Sequence, residues 1–405
     1  MLKKIFQSSF IILFFITTSC KIEETKKQTV LKSYITLTTT TVTTNLINRI
    51  INNLNIPGFD NNQVQQLIIH PVKVYKITYR TNYKGKEILA SGAVTIPETS
   101  ELSPILGYHH GTIFKDNRVP SKYTGGIIME PETALNIIFA STGFILAAPD
   151  LIGYGDSTDK LHPYHLFHPT MTASLDMLRA VKELCSKLGK NTNGKYFITG
   201  YSEGAYAAMS VQREIQKNHS KEFPIVASSL GGGAYFLSKT VKKIFGNNLL
   251  VSPAYAAFLI TSYNEHYEWR RDLSQIFREP YNKRISGGIF KGNFTQSQIN
   301  NMLTRKISKL FTNQFIAGFR GTGEEQLKAA FVENDLHKDW SPKVPTRLYH
   351  GTWDTVVPEF NSKAAFTLFQ QSGAGNINYI PLKRKNHATA IFPWIKATIL
   401  WFNTL

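Results

Sequence analysis

From residue 72 onward, short β-rich runs alternate with helix-like stretches, and that alternation restricts the fold more than any other feature. The strand-like runs are residues 72–80, 88–96, 105–109, 144–148, 196–199, 225–229, 346–349 and 378–381. Helix-like stretches cover 132–141, 171–188, 203–216, 362–371 and 394–402. Asn82-Tyr83-Lys84-Gly85 between the first two runs reads as a hairpin turn. Strands separated by helices predict an α/β fold: a mostly parallel sheet with helices on both faces. The rhythm breaks between residues 235 and 339, a mainly helical, aromatic and basic interval. It is too long for a crossover. The pattern therefore predicts a helical cap, 235–339, inserted between the sixth and seventh sheet strands, with the α/β core formed by 66–234 and 340–405. Such a cap would fold over the sheet edge where strands end and ligands bind.

Gly200-Tyr201-Ser202-Glu203-Gly204 lies at one strand end. A bare G-x-S-x-G is common. Here a β-run (Lys195 to Thr199) precedes it and a helix-like run from Ala205 follows, the strand–turn–helix setting the motif needs. The turn would lift the Ser202 hydroxyl to the top of the sheet. The helix start behind it brings free N–H groups and partial positive charge, which suit a developing oxyanion. The bland alternative is an ordinary glycine-rich turn with a bystander serine.

A serine needs a base, and the base needs an orienting group. After such an elbow the partners follow in the order acid, then histidine. Asp354, in His350-Gly351-Thr352-Trp353-Asp354, follows a strand and falls at the same sheet edge as Ser202. His387, in Lys385-Asn386-His387-Ala388, follows the last strand. Glu359, Asp339 and Asp335 are weaker candidates for the acid. His350 reads as structural and His337 as a solvated cap residue. The oxyanion donors are assigned to the backbone N–H groups of Glu203 and of Thr112, in Tyr108-His109-His110-Gly111-Thr112, with Gly111 as the alternative to Thr112. The Glu203 side chain reads only as a favourable first-turn carboxylate. His109 and His110 are adjacent and have no carboxylate–histidine cluster around them, so no metal is expected.

The N-terminus reads as an address. Lys3 and Lys4, an apolar run from Phe10 to Ile16, and Thr17-Thr18-Ser19-Cys20 make residues 1–20 a secretory leader too short to span a membrane. A cysteine at the cleavage site resembles a bacterial lipoprotein signal, which implies a lipid anchor on Cys20; plain secretion is the alternative. Thr17 stands where an aliphatic residue is usual. Residues 21–65 are polar and threonine-rich and read as a tether and irregular lead-in. Only Cys185 would remain as a thiol, inert within a helix. The chain carries 46 Lys and Arg against 28 Asp and Glu, a net charge of +18. Those charges are scattered and no nucleic-acid module accompanies them, so a solvated surface is expected and no nucleic-acid partner.

Together, Tyr108-His109-His110-Gly111-Thr112, Ala148-Pro149-Asp150-Leu151-Ile152-Gly153-Tyr154-Gly155-Asp156-Ser157, His162-Pro163-Tyr164, Asp176-Met177-Leu178-Arg179-Ala180 and the Ser202 motif resemble the α/β-hydrolase superfamily. Within it they resemble bacterial secreted hydrolases akin to the fungal-type secretory lipases. The resemblance runs from about Val72 to Leu405. It implies an exported carboxylic-ester hydrolase with a helical lid, a Ser202–Asp354–His387 triad and no metal or organic cofactor. A small-molecule or lipid ester would be its substrate. Asp150, Gly153 and Gly155 would shape the loop after the fourth strand. Many relatives have Gln or Gly where this chain has Glu203, an acid that would repel anionic substrates. The cap aromatics, among them Tyr235, Phe236, Phe258, Tyr263, Tyr267, Trp269, Phe277 and Phe290, would either line the substrate pocket or form the cap's own core. A serine peptidase with the same triad, an acyltransferase, and a non-catalytic surface lipoprotein are the competing functions. Acyl-chain length and oligomeric state are not legible in the sequence.

Overall fold

The computed structural model describes residues 29–38, 41–53, 61–124 and 131–405. The leader, Cys20 and the start of the tether lie outside the described residues.

Among the described residues, nine strands form one sheet in the order β1-β2-β3-β5-β4-β6-β7-β8-β9. They are β1 (Leu31–Thr36), β2 (Val72–Tyr83), β3 (Lys86–Pro97), β4 (Ser103–His109), β5 (Ile145–Pro149), β6 (Thr192–Tyr201), β7 (Ile225–Gly231), β8 (Thr346–Gly351) and β9 (Ile377–Leu382). The first three and the β3–β5 pairing are antiparallel, and every pairing from β5 across to β9 is parallel. The β2–β3 hairpin closes at Tyr83↔Lys86. Its two turn residues, Lys84 and Gly85, have φ of 52° and 75°, so both lie in the left-handed region that a two-residue hairpin turn requires.

Part of the segment read as tether and lead-in is instead structured. It supplies edge strand β1 and helices α1 (Thr44–Asn53) and α2 (Asn61–Gln65). Only Leu31 of β1 is buried, so the strand shows no alternation to read. The amides of Val30 and Leu31 donate to the Glu183 carboxylate at 3.0 and 2.8 Å.

Strand side chains alternate between two cores. Tyr196 and Ile198 of β6 join the layer of α4 (Phe167–Lys187) and α5 (Glu203–Glu214). Phe197 and Tyr201 face α3 (Pro131–Ser141), α1 and α2 on the other side.

Between the adjacent strands β7 and β8 the chain leaves the sheet. This is the pair expected to bracket the cap, renumbered because β1 precedes the strands read from sequence. The excursion holds α6 (Leu237–Gly246), α7 (Pro253–His266), α8 (Leu273–Ile276), α9 (Tyr281–Ser286), α10 (Gln296–Met302), α11 (Ile307–Leu310), α12 (Asn313–Arg320) and α13 (Glu325–Glu333). It has its own core, in which Phe258, Phe277, Phe290 and Phe311 are buried, and this core reaches down to Phe114 and Tyr164 of the sheet loops. Tyr235 belongs instead to the core under the sheet. Two helices, α14 (Phe360–Gln371) and α15 (Ile391–Phe402), follow β8 and β9.

Candidate active site

Strand β6 ends at Tyr201 and α5 begins at Glu203, so one residue makes the turn. That residue, Ser202, has φ 58° and ψ −119°, a conformation side chains rarely adopt. Two glycines make the turn sterically feasible. A Cβ on Gly204 would fall 2.0 Å from the His109 carbonyl oxygen, and one on Gly200 would fall 2.2 Å from the Gly204 oxygen. The loop after β4 therefore rests directly on the elbow.

The loops after β8 and β9 reach the same edge. Asp354 Oδ1 accepts from the amides of Val356 and Val357, each at 2.9 Å. Its Oδ2 lies 2.6 Å from His387 Nδ1, and His387 Nε2 lies 2.9 Å from Ser202 Oγ. Three side chains far apart in sequence thus form one continuous hydrogen-bonded line. The two loops are joined by Trp353 N–H to the Lys385 carbonyl at 3.0 Å, and by Arg384 N–H to Thr352 Oγ1 at 2.9 Å. The Tyr201 hydroxyl donates to the His387 carbonyl at 2.6 Å, tying the base back to the elbow strand. Burial would raise the Asp354 pKa, but the facing His350 and His387 rings hold it below the ordinary carboxylate value.

Two of the rival acids, Asp335 and Glu359, are engaged elsewhere, and Asp339 is exposed. Asp335 accepts from the Ser238 amide and hydroxyl, and Glu359 accepts from the Tyr379 hydroxyl. His350 is fully buried, bonded to Ser362 Oγ at 2.7 Å and to the Val357 carbonyl at 2.8 Å, as a structural ring would be. His337 is half-buried against Phe236 rather than solvated. Asp150 is buried and binds Ser91 Oγ and the Ser121 amide at 2.6 and 2.8 Å. His109 and His110 bond to carbonyl oxygens, and among the described residues no cluster that could hold a metal occurs.

Neither the Glu203 nor the Thr112 amide donates to another group among the described residues. The Glu203 side chain departs from expectation. It does not point to solvent but is 2% exposed, with Oε1 2.5 Å from His162 Nε2. Burial would raise its pKa, yet the neighbouring histidines, His162 foremost, hold it below the ordinary value. Sequence spacing gave no sign of this partner, 41 positions upstream.

A cavity of about 340 Å³ opens at Ser202 under the cap. Its wall is largely aliphatic, including Leu237, Val241, Ile244, Leu250 and Leu259, and Tyr164, His165 and Tyr255 also line it. None of the eight cap aromatics named from sequence lines it. Phe258, Tyr263, Phe277 and Phe290 are spent on the cap's own packing.

A family model described as secretory lipase matches residues 119–404. Lipase 2 of Candida albicans is 25% identical over 244 residues, which are 57% of this chain and 50% of that one. Lipase 1 of the same organism is 22% identical over 312 residues, 74% of this chain and 61% of that one. The chain thus spans between half and three fifths of these two curated relatives. Among solved structures, the rice cell wall degrading esterase LipA from Xanthomonas oryzae superposes with a TM-score of 0.77 at 24% identity, over 93% of this chain and 97% of that one. At that identity the likeness establishes the α/β-hydrolase fold.

Proposed function

Because the chain belongs to the secretory lipase family, we propose that it is an exported serine hydrolase that cleaves carboxylic esters through an acyl-enzyme on Ser202. The observation that carries this reading is the His387 ring, 2.6 Å from Asp354 on one side and 2.9 Å from Ser202 Oγ on the other. His387 Nε2 takes the Ser202 proton as Oγ attacks the ester carbonyl carbon. Asp354 holds the ring in the tautomer that leaves Nε2 free, and stabilises the imidazolium that forms. The amides of Glu203 and Thr112 receive the oxyanion; one such donor is typically worth roughly 3 kcal/mol in the transition state. The alcohol leaves with the proton from His387. Water, deprotonated by the same ring, then attacks the acyl carbon and releases the acid. The aliphatic cavity beside Ser202 supports an apolar acyl group.

Ser202→Ala should lower p-nitrophenyl acyl ester turnover by about 10⁴-fold or more while leaving thermal unfolding unchanged. Turnover at the wild-type rate would remove Ser202 from the nucleophile's role. A fluorophosphonate should label the wild type and not the variant. The leader and Cys20 support export with a lipid anchor. Cys20→Ala should move the exported protein from the membrane to the soluble fraction; a wild type already in the soluble fraction would leave plain secretion.

A further inference from the structure

Two buried groups beside Ser202 take no part in that proton transfer, the Glu203 carboxylate and the His162 imidazole, each 2% exposed. Glu203 Oε1 stands 2.5 Å from His162 Nε2, and the other ring nitrogen, Nδ1, stands 2.7 Å from the Ile152 carbonyl oxygen. A carbonyl only accepts, so Nδ1 carries a proton. A second proton must lie between Nε2 and Oε1; on the ring it gives a charge-assisted imidazolium–carboxylate bond, and on the carboxyl a neutral O–H to nitrogen bond. Both ring nitrogens are thereby used, and neither is left for a substrate.

The segment holding this ring is itself pinned. The His162 carbonyl accepts from Ser262 Oγ of cap helix α7 at 2.9 Å, and that same Oγ accepts from the Tyr164 amide at 2.8 Å. A Cβ on Gly153 would fall 2.4 Å from His162 Cα, so the loop after β5 is pressed against it. The Tyr164 hydroxyl lies 3.0 Å from Thr112 Oγ1. One short stretch, His162 to Tyr164, therefore grips the Glu203 side chain at one end and the Thr112 side chain at the other. These are the two residues whose amides receive the oxyanion in the reading above.

Glu203 also follows the strained residue. Rotation of the peptide between Ser202 and Glu203 would carry Ser202 ψ from −119° towards the left-handed region allowed at its φ of 58°, relieving the strain, and would turn the Glu203 N–H away. A side chain anchored at its far end resists that rotation.

We propose that the Glu203–His162 pair is a positioning element for the reaction. It holds the Ser202–Glu203 peptide with its N–H free for the oxyanion and, through Tyr164 and Ser262, ties both oxyanion amides to the cap. The proposal rests on the esterase reading of Ser202. Glu203 and His162 are positioning residues, since neither lines the cavity at Ser202.

The test is steady-state kinetics on a p-nitrophenyl butyrate series with Glu203→Ala, Glu203→Gln, His162→Ala and the double alanine variant of the full chain, each with its thermal midpoint. Glu203→Ala is expected to lower kcat roughly 10- to 100-fold with KM held within about twofold, because the loss falls on the transition state. Glu203→Gln should recover most of it, since the amide can donate to a neutral ring nitrogen. The double variant should be no slower than the slower single, as expected of groups acting as a unit. A kcat loss below about fivefold in Glu203→Ala, or a Gln variant as slow as the Ala variant, overturns the proposal. If Glu203→Ala does not fold, Tyr164→Phe gives the reading from the other end. A kcat loss of about threefold or more at constant KM supports it, and a smaller one overturns it. Failure of the esterase reading is separable: the wild type would then neither turn over the ester nor take the fluorophosphonate label.

Discussion

Two carboxylate–imidazole pairs flank Ser202 with nearly the same separation. Asp354–His387 is 2.6 Å across and Glu203–His162 is 2.5 Å across. In both, burial pushes the carboxyl pKa up and the facing histidines bring it below its ordinary value. What differs is the second ring nitrogen. His387 binds its carboxylate through Nδ1 and keeps Nε2 on Ser202, with its side chain 15% exposed. His162 binds its carboxylate through Nε2 and spends Nδ1 on the Ile152 carbonyl, with its side chain 2% exposed. In the roles proposed above, the same two groups move a proton in one place and brace a backbone in the other. The choice is made by where the free edge of the ring points.

The largest expected effect breaks the open pair. Asp354→Asn would leave the His387 ring near its position but favour the wrong tautomer, since the amide can donate to Nδ1. Ester kcat should fall on the order of 10³- to 10⁴-fold, far beyond any loss at Glu203, with thermal unfolding little changed. A loss no greater than that of Glu203→Ala would erase the distinction between the two pairs.

Both pairs depend on an elbow that only glycine permits at residue 204. Gly204→Ala would drive a Cβ to 2.0 Å from the backbone oxygen of His109, an atom that cannot swing aside. The loop after β4 or the elbow must move. The expected cost is about 2–5 kcal/mol of stability by denaturant titration, with activity lost alongside. An unaltered denaturation midpoint would show that the elbow yields without strain.

The open pair was legible in the sequence and the sealed one was not, for physical reasons. Ser202 is announced by five consecutive residues and by the strand and helix on either side. Asp354 and His387 each follow a strand-like run, and parallel strands bring such positions to one edge. Glu203 sits in the first turn of a helix, where any acid is favourable, so nothing local says that it turns inward. Its partner arrives by tertiary packing alone. The same limit hid β1: a strand with one buried side chain has no period to detect. The cap aromatics show a further limit. The sequence left them two places, the pocket wall or the cap's own core, and the choice, as in the packing of Phe258 on Phe290 at 4.9 Å, is set by helix orientation.

Acid should loosen the sealed side of the site before it discharges the carboxylates. His109 and His165 are buried, and burial lowers the pKa of each ring to about 4. The unfolded chain protonates these rings near pH 6.5, so it takes up protons that the folded chain refuses, and stability falls as pH drops from about 6.5 towards 4. Each ring should cost on the order of 2 kcal/mol by pH 5. The lowered pKa values of Asp354 and Glu203 act below that window. Their stabilisation is complete above the ordinary carboxylate range and is lost as pH falls through the depressed folded values. Guanidinium titrations at pH 7 and pH 5 should show the first loss, and equal midpoints would mean that these rings are not held neutral.

His350 gives the smallest and most discriminating effect, because it is a bracing ring inside the open pair. Its Nε2 lies 3.4 Å from Asp354 Oδ2 but only 2.8 Å from the Val357 carbonyl, to which it donates. Its Nδ1 is on Ser362. Like His162, it has no nitrogen left for the substrate, yet like His387 it faces Asp354. If access of the ring edge decides the role, His350→Gln, which keeps a donor, should lower kcat by no more than about tenfold and leave KM unchanged. It should also lower the thermal midpoint, since buried hydrogen bonds to Ser362 and Val357 are weakened. A loss approaching that of Asp354→Asn would place His350 in proton transfer, and sorting these rings by their free nitrogen would then fail.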